Sequence, residues 1–412
     1  MAQNNVTMSV VDSSLKDLYP DGIENCQPEE GKFFSMADKK QNFHGRRFEL
    51  PLQLSNNHGI SASFAKSQAN RGNNEYQKFD IPRKTYYGAA YIENEVFAAG
   101  REDIGNIIDQ VTRTTEGLKD EWMRANAKHA FGDGTGALST IGATTVLGSP
   151  TLVLASSYDT AFFSIGMVVQ FADPSGPTIR NSGGELIVTG VNRESGTVTL
   201  SGNISTVTGT QLADLVLRSG DLSVVPTGVS GWIQGSGAAA LHGMTRTADP
   251  LKQAGLKIDA AGKTYSDALT DGIAQQGTQG AKKGAALFIN PYDCAVFLKQ
   301  LDSKVARYEA GQVSTKGLAT ASFSAIKYLS TRGAVDVIED HNVKVGEAWL
   351  LHMSDWEFKS AGKAPMFMNL LTGSSVFTMR PDLDAQEIRI GAYGNWICYN
   401  PANHIKFYNL AP

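Results

Sequence analysis

One arrangement of segments constrains this chain more than any other. A polar, strand-patterned arm from Arg47 to Tyr91 runs into a single long helical stretch, Arg101 to Phe131, which stops at Gly132-Asp133-Gly134-Thr135-Gly136. The arm carries too little apolar surface to build a core of its own. About 30 helical residues at ~1.5 Å each reach roughly 45 Å, more than a small core needs. Such a subunit is expected to complete itself on its neighbours, so assembly is the first expectation and catalysis the second.

Within the arm, Phe48, Leu50, Leu52 and Leu54 alternate with Glu49, Pro51, Gln53 and Ser55, the period of a half-buried strand. A turn is expected at Asn56–Gly59, with Ile60, Ala62 and Phe64 continuing the alternation. The stretch Lys66–Tyr76 is nearly free of apolar side chains and reads as the tip of a long hairpin. Phe79 and Ile81 begin the return strand, and a further strand follows over Tyr86–Phe97. Residues 1–45 are polar and irregular, with one short helical stretch near Ser13–Leu18. That segment is expected to be held by other subunits; packing along its own domain is the alternative.

In the long helix, Ile104, Ile108, Val111, Thr115, Leu118, Trp122, Ala125 and His129 step by fours and threes down one face. The opposite face, with Asp109, Arg113, Glu116, Lys119, Asp120 and Arg124, is left for water or neighbours. Lysine then vanishes between Lys128 and Lys252, and Gly, Ser, Thr and Val dominate. Short strands are expected at Ile165–Phe171, Glu185–Val191, Thr197–Ser201 and Asp214–Arg218, the middle two joined through Asn192–Gly196. Together they predict a small β-barrel or sandwich inserted over 145–225. Beyond it, Ser266–Gln279 is expected to be helical and Ala286–Ile289 a buried strand. Asn290 can cap a helix opening at Pro291, with Cys294, Phe297, Leu298, Leu301 and Val305 on one face and a stop near Gly311. Strands close the chain at Ala325–Leu329, Ala334–Ile338, Ala348–Met353, Glu387–Tyr399 and His404–Leu410.

Several function classes find no support. The formal net charge is -4, from 37 basic and 41 acidic residues, with no basic stripe. A chain that gripped nucleic acid through phosphates would carry a basic surplus. Cys26, Cys294 and Cys398 lack metal or redox spacing, which suits free thiols in a reducing compartment. No run of about 18 apolar residues is present, so no membrane-spanning helix is expected. Gly262-Lys263-Thr264 lacks the earlier glycine of a phosphate-binding loop, because Lys257 stands there. The seven histidines are scattered, and Asp382 and Asp384 read as turn formers. No catalytic, cofactor or metal residue is expected.

At this point the order of parts resembles the major capsid proteins of tailed bacteriophages, whose fold is named for phage Hong Kong 97. SLKDLYPDG (Ser14–Gly22) resembles their N-terminal arm, and GRRFELPLQLSNNHGISASF their extended loop. Arg101–Phe131 running into FGDGTGAL resembles the spine helix of the peripheral domain, and INPYDCAVFLKQL the axial domain. RPDLDAQEIRIGAYGNWICYNPANHIKFYNL resembles the last strands returning to the peripheral domain. The resemblance implies an α+β Hong Kong 97-like fold with an inserted small all-β domain. Its parts would be an N-terminal arm (1–46), the extended loop (47–100), the spine helix (101–144), the insertion (145–225), a return to the peripheral domain (226–265), the axial domain (266–380) and closing peripheral strands (381–412).

The function so implied is a capsid subunit. It would assemble with itself into pentamers and hexamers of an icosahedral shell enclosing double-stranded DNA in the virion. Its partners would be a separate scaffolding protein and a portal at one vertex, with decoration proteins an open matter and no membrane. Arg71, Glu75, Lys78, Arg83 and Lys84 on the arm, with Arg113, Glu116 and Asp120 on the helix, are the expected intersubunit contacts. Exposed ion pairs contribute about 0–1 kcal/mol each, so shape should dominate. Two other readings stay open: an encapsulin-like compartment holding protein cargo, and a carbohydrate-binding or hydrolytic protein built on the β-rich segment.

Overall fold

The computed structural model describes residues 31–95, 104–302, 308–312, 324–368, 377–379 and 382–410. The helix expected near Ser13–Leu18, together with Cys26, Phe97, Arg101 and Val305, lies outside them, as do the side chains of residues 104–112.

The described residues open with α1 (Lys32–Met36) and β1 (Asp38–Lys40), then β2 (Arg47–Ser55), α2 (Phe64–Ala69), β3 (Glu75–Pro82), β4 (Lys84–Glu93) and α3 (Ile104–Ala130). Six short strands follow: β5 (Ala137–Thr140), β6 (Thr151–Val153), β7 (Val168–Ala172), β8 (Leu186–Asn192), β9 (Thr197–Leu200) and β10 (Leu215–Arg218). Then come α4 (Pro250–Ala254), β11 (Leu256–Asp259), α5 (Tyr265–Thr278), β12 (Ala286–Ile289) and α6 (Pro291–Asp302). The last strands are β13 (Tyr308–Gln312), β14 (Ser324–Ser330), β15 (Gly333–Glu339), β16 (Ala348–Leu351), β17 (Trp356–Ser360), β18 (Met366–Phe367), β19 (Phe377–Met379), β20 (Ala385–Cys398) and β21 (Ile405–Tyr408).

Three sheets and one hairpin result. β20 is the spine of the first sheet, pairing with β4 along one edge and with β17, β18 and β19 along the other, while β1 joins β17 in parallel. The second sheet runs β11-β21-β16-β12-β15-β14-β13. In β12 every residue is buried: Ala286 and Phe288 face one core, Leu287 and Ile289 the other. This short apolar run is therefore a central strand with both faces covered. α5 and α6 cover one face through Leu269, Ile273, Phe297 and Leu301. Asn290 Oδ1 accepts the Tyr292 N–H at 3.0 Å, so the expected cap forms.

The third sheet, β5-β10-β7-β8-β9-β6, closes on itself. The Ile141–Leu154 bridge joins its ends, with Gly142 N–H to Val153 O at 2.8 Å and Ala155 N–H to Thr140 O at 3.0 Å. This small barrel has its own core around Phe163, Val169, Phe171, Val188 and Val198. It begins at β5, ahead of the expected residue 145. Gly136 (φ +87) marks its entry, and a Cβ there would lie 2.7 Å from Asp221 O at its exit. Entry and exit of this barrel are thus adjacent.

Two expectations need correction. Residues 31–43 pack into their own chain: Phe33 is fully buried, its ring 5.1–5.7 Å from those of Phe131, Phe288, Trp356 and Trp396. The polar composition of the arm hid these aromatics. α6 does not reach Gly311, which lies in β13 paired with Ala325. The closing strands part company, β20 staying in the first sheet and β21 joining the second. β11 pairs in parallel with β21.

Candidate assembly surface

β2 and β3 form a hairpin whose inward side chains follow the alternation, Leu50, Leu54, Phe79 and Ile81 being buried. Phe79 meets Trp232 with centroids 4.9 Å apart. Lys252 Nζ donates to Leu54 O at 2.7 Å, and Gln253 Nε2 to Gln77 Oε1 at 2.8 Å, so α4 clamps the outer half of the hairpin. Beyond that clamp there is no core. Alternation was expected to continue through Ile60, Ala62 and Phe64, but the chain leaves the strand at Asn56 and forms α2, in which no residue is buried. Side-chain hydrogen bonds shape the tip instead: Asn57 Oδ1 accepts from Gly59 N–H (2.9 Å) and Gly72 N–H (3.0 Å), and Ser67 Oγ donates to Gly59 O (2.6 Å). Ile60 is 87% exposed, Phe64 77% and Tyr76 61%. A hairpin end that is held at its base and shows three large apolar side chains is unusual for a surface that stays in water.

α3 lies on the first sheet. Trp122 Nε1 donates to Tyr86 O at 3.2 Å, and Gly88 permits the approach, since a Cβ there would sit 3.1 Å from Leu118. From Leu118 the stripe faces inward, but every residue from Trp122 to Ala130 is buried, because the barrel and the 340–344 segment cover the other side. Arg124, expected on the free face, is buried: it donates to Glu121 at 2.9 and 3.1 Å and to Ser164 Oγ at 2.7 Å. Arg218 of β10 pairs with the same carboxylate. Burial pushes the Glu121 carboxyl up, but the two guanidiniums outweigh it and hold it below the usual range. Beside them, Asp221 Oδ2 lies 3.2 Å from His129 Nε2 and 3.3 Å from the Tyr86 hydroxyl. Burial, then the Asp221 charge, drives the Tyr86 phenol well up. His129 is thus a satisfied structural histidine.

Between β4, α3 and the 218–224 segment runs a groove of about 600 Å3, lined by Tyr87, Leu118, Glu121 and Val224. A recess of about 610 Å3 continues it along the barrel rim past Ile165, Val168 and Glu185. None of the residues expected at intersubunit contacts lines the groove or the recess. Arg71 and Glu75 are exposed near the tip, and Arg83 is exposed between β3 and β4. Lys78 pairs within its own hairpin, with Glu49 at 2.8 Å and Asp80 at 3.5 Å. Lys84 donates to Ser223 O at 2.6 Å, its pKa lowered by burial. Glu116 is exposed on α3, with Arg113 and Asp120 half-buried there. The groove itself was not legible in the sequence, since its walls come from three separated segments.

The motifs set aside above have structural uses. Thr264 Oγ1 caps α5 by accepting Asp267 N–H at 3.2 Å, and Lys263 pairs with Asp271 at 2.8 Å. Cys294 and Cys398 are buried free thiols, the former pushed up to about 12 by burial. Among the described residues no group of three or more His, Cys, Asp or Glu side chains could hold a metal, and no helix is long and apolar enough to cross a membrane.

No family model and no curated protein matches this chain in sequence. Solved structures do match in fold. The capsid asymmetric unit of cyanophage A-1(L) aligns over 99% of this chain and 100% of its own, at TM-score 0.61 and 9% identity. The capsid of a native GTA particle aligns over 100% of both, at TM-score 0.53 and 8% identity. The SrpI encapsulin complex of Synechococcus elongatus PCC 7942 aligns at 0.46 and 8% identity, a likeness too loose to argue from. The chain therefore has the phage capsid-protein fold, over its full length.

Proposed function

We propose that this chain is a capsid subunit that assembles with copies of itself into a closed shell. The observation that carries the reading is the hairpin tip. Ile60 and Phe64 are displayed at the end of a clamped arm, and none of the described residues covers them. In the shell, that tip would lie on a neighbouring subunit, along the groove beside α3, with Arg71, Glu75, Lys78, Arg83 and Lys84 near Arg113, Glu116 and Asp120 of the neighbour. Each such contact is weak, and repetition around pentamers and hexamers would make the shell stable. The full-length likeness to two capsid structures supports the same use of the fold. Double-stranded DNA would fill the particle in the virion; the net charge of -4 suits a wall that confines DNA without gripping it. A scaffolding protein and a portal would act during assembly.

Deleting Ser67–Asn74 tests this. The tip has no buried residue in α2, so the subunit should fold with unchanged circular dichroism. Electron microscopy should then show shells from the intact chain and few or none from the deletion. Normal particles from the deletion would refute the assigned role of the tip. Nuclease digestion and absorbance ratios of purified particles separate packaged DNA from the protein cargo of an encapsulin-like compartment.

A further inference from the structure

Lys128 lies in the last turn of α3 and is 6% exposed. Its ammonium sits 3.3 Å from the centroid of Phe162 on the barrel and donates to Asn342 O at 3.3 Å. A buried ammonium ordinarily has a carboxylate partner. Among the described residues Lys128 has none within ion-pair distance, and each nearby carboxylate is engaged elsewhere. Asp159 accepts from Ser139 Oγ at 2.6 Å. Asp340 accepts from the Phe33 N–H and from the Asn342 backbone and side chain. Glu347 pairs with Lys406 at 2.7 Å. A second cation, Lys344, stands close enough to repel the first. Burial, then Lys344, pushes the Lys128 amine down to about 7.

Both lysines line one cavity of about 240 Å3 between α3, the barrel and the 342–349 segment. Thr140 and Ser230 hydroxyls line it too, as does Gly132 at the helix stop. Two carboxylates line it as well: Glu347, paired with Lys406, and Asp133, which accepts from the Thr135 N–H (2.9 Å) and hydroxyl (2.5 Å). Two lysines with no carboxylate partner among the described residues, around a polar cavity, call for negative charge. We propose that this cavity binds a small oxyanion of the phosphate or sulfate class, with Lys128 and Lys344 as its counter-charges. The bound anion joins the barrel, which has its own core, to the end of α3 and the second sheet, which share another through Phe131, Phe288 and Trp349. It converts a repulsive pair of cations into a bridge.

Thermal unfolding of the full chain in inorganic phosphate, sulfate and chloride at matched ionic strength tests the site without requiring shells. Phosphate and sulfate stabilise most proteins weakly and without saturation, by exclusion from the surface. A specific site gives a saturable rise in midpoint instead. Lys344→Ala, a half-buried position on the cavity wall, should raise the half-saturating phosphate concentration about tenfold, the weight of one charge-assisted hydrogen bond. Lys128→Met should abolish the saturable component, with folding checked by circular dichroism. Phosphorus NMR of phosphate should broaden with the intact chain and sharpen with either variant. A rise linear in concentration and equal in all three proteins would overturn the proposal. So would a site filled only after assembly, when the anion is a carboxylate of a second copy: shells would then show no phosphate broadening.

Discussion

Phe33→Ala is the sharpest test of how the two large sheets are joined. The Phe33 ring is fully buried, and its four aromatic neighbours come from the turn just after α3 (Phe131), the second sheet (Phe288) and the first sheet (Trp356 and Trp396), at centroid distances of 5.1 to 5.7 Å. Truncation removes the burial of a whole ring and leaves a cavity walled by rings that cannot collapse without moving a sheet. The cost expected for such a phenylalanine is about 3–5 kcal/mol. Four aromatic contacts, each adding about 0.5–1.5 kcal/mol beyond area, place it in the upper part of that range. Phe64→Ala is the matched control, the same chemistry at a side chain 77% exposed, expected within about 0.5 kcal/mol of the parent. Urea unfolding of the unassembled subunit, followed by tryptophan fluorescence, reads both, since Trp356 and Trp396 report on the emptied site. A loss below about 1 kcal/mol for Phe33→Ala would refute the packing of α1 in its own core and return residues 31–43 to the role of an external arm.

Other consequences are as direct. Lys128 is charged in the unfolded chain up to its ordinary pKa of 10.5 but only to about 7 when folded. The unfolded state therefore holds more protons between those values, and stability rises with pH from about 7 upward. The slope approaches one proton, about 1.4 kcal/mol per pH unit, and urea melts at pH 6.5 and 8.5 in phosphate-free buffer should show it for the parent and not for Lys128→Met. His242 and His404 are held neutral by burial, down to about 4 and about 3. Below pH 6.5 the unfolded chain takes up protons that the folded one refuses, so stability should fall toward pH 4, and less steeply in His404→Gln; identical acid profiles would contradict this. A Cβ on Gly228 would overlap the carbonyl oxygens of His129 and Ala130, so Gly228→Ala should cost about 1–3 kcal/mol in thermal melts.

Local periodicity in this chain was legible because each element buries one face or two. The alternation at 48–54 became β2, the four-and-three stripe became α3, and the unbroken run at 286–289 became a strand covered on both sides. Asn290-Pro291 opened α6 as its chemistry requires. Reading failed where polar composition was taken for exposure. Phe33 and Phe34 sit in a polar stretch yet are buried, and Arg124 carries charge yet is covered. It failed again at Ile60 and Phe64, where apolar residues in a period-2 register were taken for strand and proved to be the exposed tip.

What the amino-acid sequence by itself determined was the order and type of the parts: a hairpin arm, a long helix, a lysine-free β module, then a mixed sheet. Those properties follow from backbone preference and from which side chains tolerate water, both settled within a few residues. The tertiary structure alone decided the partners. It paired Asp38–Lys40 with Glu357–Lys359, separated β20 from β21 into different sheets, closed the barrel through Ile141 and Leu154, and set Lys128 beside Lys344. Hydrophobic burial states that a face must be covered and is indifferent to what covers it. The choice among coverings rests on the shapes and charges of segments far apart in the chain, which meet only once the whole is folded.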